Sequence, residues 1–101
     1  MKEMFVYILK CSDNSYYTGV TNNVERRVIE HQEGIDNKSY TYNRRPIELV
    51  FYQSYTDASN AIMFEKKLKG WSRAKKEALI NNNLHLLPEL SMNNKKKKLS
   101  V

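Results

Sequence analysis

Residues 5 to 10 (FVYILK) form an apolar run rich in aromatic and β-branched side chains, which predicts a strand. Ser12, Asp13, Asn14 and Ser15 make a turn cluster. Tyr16 to Val20 then reads as a second strand, so the first two strands pair as an antiparallel hairpin. Asn22 or Asn23 can cap a helix running to about residue 32, and Gly34 stands where a left-handed residue ends one. Residues 35 to 46 show no period and finish at Pro46, which predicts a loop. Ile47 to Tyr55 (IELVFYQSY) reads as a third strand, and Thr56 or Asp57 caps a second helix that ends near Gly70. Ser72 caps a third helix through about Asn82. The pattern weakens from Asn83 onward, and SMNNKKKKLSV reads as a disordered basic tail. The expected fold class is α+β: a small three-stranded, mainly antiparallel sheet flanked by helices, in the order β-β-α-β-α-α. The expected organisation is one domain over residues 1–83 and an extension over 84–101.

The helical stripes carry residues that a simple core does not need. The first helix turns Val24 and Val28 inward, and the same spacing brings Arg27 and His31 along. The second turns Ala58, Ala61, Ile62 and Leu68 inward, with Glu65 in their midst. A buried charge costs several kcal/mol unless it is paired, hydrogen-bonded or bound to a metal. A structural ion pair accounts for one such residue; Arg, His and Glu together, facing a sheet that bears Tyr7 and Tyr17, suit phosphodiester hydrolysis. A carboxylate such as Glu65 can hold one Mg²⁺ or Mn²⁺ that keeps several waters. Arg27 offers a planar fork to a phosphate. A tyrosine can act as a base once a neighbour helps it lose its proton. One cysteine and two histidines cannot build a zinc centre, and no P-loop or dinucleotide-binding glycine pattern is present.

Charge and composition sharpen this only a little. The net charge is +6, but Lys95 to Lys98 supply four of the 17 basic residues, so without them 13 stand against 11 acidic. The remaining basic residues cluster at Arg44 and Arg45 and between Lys66 and Lys76. That clustering fits a phosphate-binding footprint or a solvated helix face. The lone Cys11 allows no internal disulfide and suits a reducing setting. No secretory leader and no apolar stretch of ~20 residues is visible. The expectation is a soluble cytoplasmic protein.

These residues, taken in order, resemble the GIY-YIG nuclease domain, most closely its small stand-alone bacterial members, which are similar to the N-terminal nuclease domain of a bacterial excinuclease. VYI supplies the first motif with Tyr7, and YTG the second with Tyr17 and Gly19. TNNVERRVIEH places the family's arginine at Arg27 and its frequent histidine at His31, and AIMFEKKLKGWSRAKKEALI places the metal-binding glutamate at Glu65. KSYTYNRRPIELVFY resembles the loop and strand between them, with Lys38 and Tyr40 at positions often kept. The likeness spans about residues 4 to 80. Val6 stands where the first motif has glycine, Thr18 replaces an isoleucine, and the family's later asparagine has no assigned counterpart, with Glu77 near its place.

The resemblance implies an endonuclease, with DNA favoured over RNA and a structured or single-stranded substrate. It implies a single Mg²⁺ or Mn²⁺ at Glu65 and catalysis by Tyr7, Tyr17, Arg27, His31 and Glu65. In this reading Tyr7 is the favoured base, helped by His31, while Tyr17 orients water or phosphate, the reverse assignment of the two tyrosines being the alternative, and Gly19 admits a close backbone approach. Lys38, Tyr40, Arg44 and Arg45 are candidate nucleic-acid contacts or loop-ordering residues. A protein partner is a possible source of specificity, and a binding module that keeps the fold without turnover is the alternative. The resemblance also makes a demand of the hairpin. Tyr7 and Tyr17 share a sheet face if the connecting loop has three or five residues, and not if it has four.

Overall fold

A computed structural model describes residues 3–82 of the chain. The elements run β1 (Met4–Lys10), β2 (Tyr16–Thr21), α1 (Val24–Glu33), β3 (Glu48–Tyr55), α2 (Ala58–Lys69) and α3 (Arg73–Ile80). The sheet is fully antiparallel in the order β2-β1-β3, so the most apolar strand is central. The architecture is the expected α+β arrangement. The described chain divides into two compact units between Lys69 and Gly70. The expected basic tail at 84–101, with Asn83 and His85, lies outside the described residues.

Local chemistry sets the boundaries. Asn23 has extended backbone, and its side chain accepts a hydrogen bond from the Arg26 N–H at 3.0 Å, capping α1. Gly34 ends that helix at φ 69°, a left-handed conformation glycine adopts freely. Asp57 accepts from the Ser59 N–H at 2.9 Å at the start of α2, and Ser72 accepts from the Lys75 N–H at 3.2 Å at the start of α3. In the second unit Arg73 pairs with Glu77 at 3.0 Å, and Lys75 lies over the Trp71 ring.

The hairpin register answers the parity question. Lys10 pairs with Tyr16, leaving the five-residue loop 11–15, and Leu9 pairs with Tyr17 while Tyr7 pairs with Gly19. Tyr7 and Tyr17 therefore share a face. The β1–β3 register shifts between Ile8 and Leu9, with Val50 as the extra residue, and this bulge brings Leu49 opposite Leu9. Tyr7, Leu9, Cys11 and Ile47 form the core on this face, with Tyr17, Val28 and Leu49 packed against them. Val6 and Ile8 point to the other face and are also fully buried. α2 packs on the sheet with Ala61 and Leu68 buried, whereas Ala58 and Ile62, expected to face inward, are exposed.

Residues 35–47 are better ordered than a loop without period suggests. Tyr42–Arg44 form a 3-10 turn. The Gln32 side chain spans back to Ile47, donating to its carbonyl at 2.9 Å and accepting from its N–H at 3.0 Å. Ser12 N–H donates to the Arg44 carbonyl at 2.8 Å, and Arg44 pairs with Asp13 at 3.0 Å. Local sequence periodicity does not register such ties because they join residues 15 and about 30 positions apart. Their consequence is that Thr41 is only 1% exposed.

Candidate active site

Tyr7 sits mid-strand on β1, where neighbours cover it almost completely (1% exposed). Gly19 is its cross-strand partner, and a Cβ there would lie 2.5 Å from Tyr7 Cζ and Oη. The glycine thus makes room for the Tyr7 ring rather than for a passing backbone, which corrects the expectation for that position. Tyr7 Oη and His31 Nε2 are hydrogen-bonded at 3.0 Å. His31 reaches the sheet because α1, fixed by its Asn23 cap, places it two turns along and on the stripe of Val24 and Val28. On its far side, His31 Nδ1 lies 2.8 Å from Thr41 Oγ1, which lies 2.9 Å from Ser39 Oγ. A continuous polar chain therefore runs Tyr7–His31–Thr41–Ser39, with its first three members buried.

Burial sets the protonation states. Desolvation pushes the Tyr7 phenol up to about 12, against the pull of the Arg27 guanidinium beside it. His31 is pushed down from 6.5, first by burial and then by the Arg27 charge. Near neutral pH the pair is a phenol and a neutral imidazole.

Arg27, expected on the inward stripe, is only partly there. Its side chain is 45% exposed and binds Glu30 at 3.0 Å, while the charge of its guanidinium acts on both Tyr7 and His31. A long arginine can do this because its stem lies along the surface while the head bends over the site. Tyr17 completes the cluster, with its ring 6.3 Å from Tyr7 and 5.2 Å from His31. A cavity of about 160 Å³ opens here, lined by Tyr17, Arg27, His31, Ser39, Tyr40 and Thr41 among others.

Glu65 stands to one side. It is nearly buried at 12% side-chain exposure, as its place between Ala61 and Leu68 requires, but it is not unpaired. Lys69 Nζ meets its Oε2 at 2.6 Å, and the same ammonium interacts electrostatically with Tyr17. No hydrogen bond or ion pair joins Glu65 to Tyr7, Tyr17, Arg27 or His31 among the described residues. No group of three or more His, Cys, Asp or Glu side chains there could hold an ion. A single carboxylate does not fit zinc. It does fit Mg²⁺ or Mn²⁺, which are content with one protein carboxylate and a shell of water.

The proposed nucleic-acid contacts are largely occupied with ordering their own loop. Tyr40 stacks on Tyr17 with centroids 6.0 Å apart, and Arg44 lies 3.8 Å over the Tyr40 ring and donates to the Tyr40 carbonyl at 2.7 Å. Arg45 packs over Tyr42 and donates to the Tyr42 and Gln32 carbonyls. Lys38 is exposed. Lys69, Thr41 and Ser39 fall outside the set that the sequence motifs pick out. Lys69 was legible as the i+4 partner of Glu65. Thr41 offered no signal beyond its place in a polar and aromatic loop.

A tyrosine pair on one face of a three-stranded sheet is thus met by an arginine and a histidine from the helix that follows, the arrangement that the motif order of the sequence anticipates for a small α+β domain of one family. The chain belongs to the GIY-YIG family: the family model of the GIY-YIG catalytic domain matches residues 3–78. Among its relatives, a UPF0213 protein of Natronomonas pharaonis is 47% identical over 76 residues, covering 75% of this chain and 88% of that protein. A UPF0213 protein of Staphylococcus epidermidis is 45% identical over 80 residues, covering 79% and 96%. The relatives thus include archaeal as well as bacterial proteins, so the likeness is wider than the bacterial members alone. The solution NMR structure of a UPF0213 protein of Bacillus halodurans matches with TM-score 0.52 and 39% identity, over 78% of this chain and 83% of that one. That of an E. faecalis protein matches with TM-score 0.58 and 26% identity, over 100% and 97%. Within the described residues no helix is long and apolar enough to cross a membrane.

Proposed function

We propose that the chain is a divalent-metal-dependent endonuclease that hydrolyses phosphodiester bonds, with DNA favoured and structured or single-stranded substrates preferred. The observation that carries the reading is the buried hydrogen bond between Tyr7 Oη and His31 Nε2, with Arg27 and Tyr17 against it. A phenol raised to about 12 is a poor base by itself. It becomes one if its proton leaves as another arrives: Tyr7 takes a proton from the attacking water while passing its own to His31 Nε2. The depressed basicity of His31 keeps its imidazole neutral, with one ring nitrogen able to accept, near neutral pH. Arg27, half in solvent and always charged, meets the negative charge that grows on the phosphate. Tyr17 orients the water or the phosphate.

Glu65 would hold Mg²⁺ or Mn²⁺ together with water, and the ion would supply charge stabilisation to the phosphate. Tyr40 lines the cavity, and Lys38, Arg44 and Arg45 of the same loop are the proposed phosphate contacts, their charges lending it positive potential. On the same resemblance we place the work in the cytoplasm, in DNA repair or recombination, with a protein partner as a source of specificity. The test sets the parent beside Glu65→Ala on labelled single-stranded, duplex and branched DNA and on RNA, with Mg²⁺ or Mn²⁺. Cleavage by the parent, lost on the order of a hundredfold or more in the variant, is the expected result, the scale of removing a charge-stabilising group. Equal cleavage by both would trace the activity to a contaminant. Salt-sensitive binding with no cleavage would make the chain a binding module.

A further inference from the structure

We infer that Thr41 is a positioning residue: its hydroxyl accepts the Nδ1 proton of His31 and so fixes the imidazole tautomer whose bare Nε2 receives the proton of Tyr7. The inference rests on the nuclease reading for its catalytic consequence, and on the hydrogen-bond geometry alone for the tautomer. Tyr7 is buried and has one phenolic proton to place. Arg27 beside it has only donors, so it cannot take that proton. The acceptor within reach is His31 Nε2 at 3.0 Å. If Nε2 accepts, a neutral imidazole carries its hydrogen on Nδ1.

That Nδ1–H points at Thr41 Oγ1, 2.8 Å away. Thr41 must then send its own single proton to another acceptor, and Ser39 Oγ lies 2.9 Å away. The opposite arrangement has Thr41 donating to Nδ1. It would put the imidazole hydrogen on Nε2 instead, facing a buried phenol whose proton then has no acceptor among the described hydrogen bonds, which is costly. The hydroxyl pair does for His31 what a carboxylate or carbonyl does behind many catalytic histidines, without adding a charge.

The experiment is ¹⁵N NMR of the histidine side chains in the full chain, with Thr41→Val and Thr41→Ser beside the parent. The expected parent spectrum shows His31 protonated on Nδ1 and bare on Nε2. Thr41→Val keeps the volume, removes the acceptor and mixes or inverts the tautomers; Thr41→Ser restores the parent pattern. In cleavage, Thr41→Val should lower kcat by about 10- to 100-fold, the usual scale for an outer partner of a functional histidine, with KM little changed, and Thr41→Ser should recover most of it. A parent protonated on Nε2 would overturn the inference, as would a Thr41→Val protein with the parent tautomer or an unchanged kcat. If Thr41→Val does not fold, the parent and Thr41→Ser spectra decide. A parent that cleaves nothing yet shows the Nδ1–H tautomer would remove the nuclease reading and leave the tautomer assignment standing.

Discussion

His31 on α1 and Glu65 on α2 are both polar side chains set among apolar neighbours on a helix, and the chain provides for them in opposite ways. His31 is held by three separate segments: Tyr7 from β1 on one nitrogen, Thr41 from the ordered loop on the other, and the Tyr17 ring from β2 beside it. Glu65 is held by its own helix, through a lysine one turn on whose side chain is 57% exposed. The first arrangement depends on the whole fold and has little freedom. The second is a local ion pair of the kind worth ~0.3–0.5 kcal/mol on helix surfaces. Proton transfer needs atoms fixed to a few tenths of an ångström, which suits the first. A cation site needs a ligand that can be released to an incoming ion, which suits the second.

The largest test breaks the fixed side. Gly19→Ala would drive a Cβ to 2.5 Å from a ring with nowhere to retreat, since Tyr7 is buried. Overpacking of this kind costs about 1–3 kcal/mol, and in a domain of this size each kcal/mol lowers Tm by roughly 4–8 °C. Denaturant unfolding checks it, and a variant as stable as the parent would show that the Tyr7 ring is free to swing. A smaller effect follows from His31. Its basicity is lowered in the fold, so below pH 6.5 the unfolded chain binds more protons than the folded one. The stability it lends is full above pH 6.5 and is lost as pH falls through the folded value. Tm measured from pH 7.5 to 4.5 should show this loss in the parent and a flatter profile in His31→Gln. Parallel profiles would mean that His31 is not desolvated.

The contrast also explains what the sequence can disclose. The hairpin, the Asn23 and Gly34 ends of α1, and the place of His31 follow from residues close together in the chain, and they were legible. So was the motif order that brings Tyr7, Tyr17, Arg27 and Glu65 into one domain. Hydrophobic periodicity set Arg27, Ala58 and Ile62 inward because it weighs position on a helix and not the length of a side chain or the width of the face that is covered. Thr41 was invisible for a different reason. Its role depends on Gln32 and Asp13 closing the loop from 15 and 31 positions away, and no local pattern carries that information.

The smallest effect sharpens the exchangeable side. If Lys69 holds the place of the cation on Glu65, then removing its charge should tighten metal binding rather than weaken it. Lys69→Met keeps the aliphatic stem along the helix and deletes the ammonium 2.6 Å from the carboxylate. An i,i+4 pair of this kind is worth about 0.3–0.5 kcal/mol, which corresponds to roughly a 1.6- to 2.3-fold gain in Mn²⁺ affinity at tenfold per 1.4 kcal/mol. Calorimetric titration of Mn²⁺ into parent, Lys69→Met and Glu65→Gln reads it directly, with Glu65→Gln expected to lose the site. Salt should narrow the difference between parent and Lys69→Met, because the ion pair that competes with the metal is screened. Weaker binding by Lys69→Met would mean that the lysine orients the carboxylate for the ion instead of standing in for it, and the distinction drawn between the two helices would then fail at Glu65.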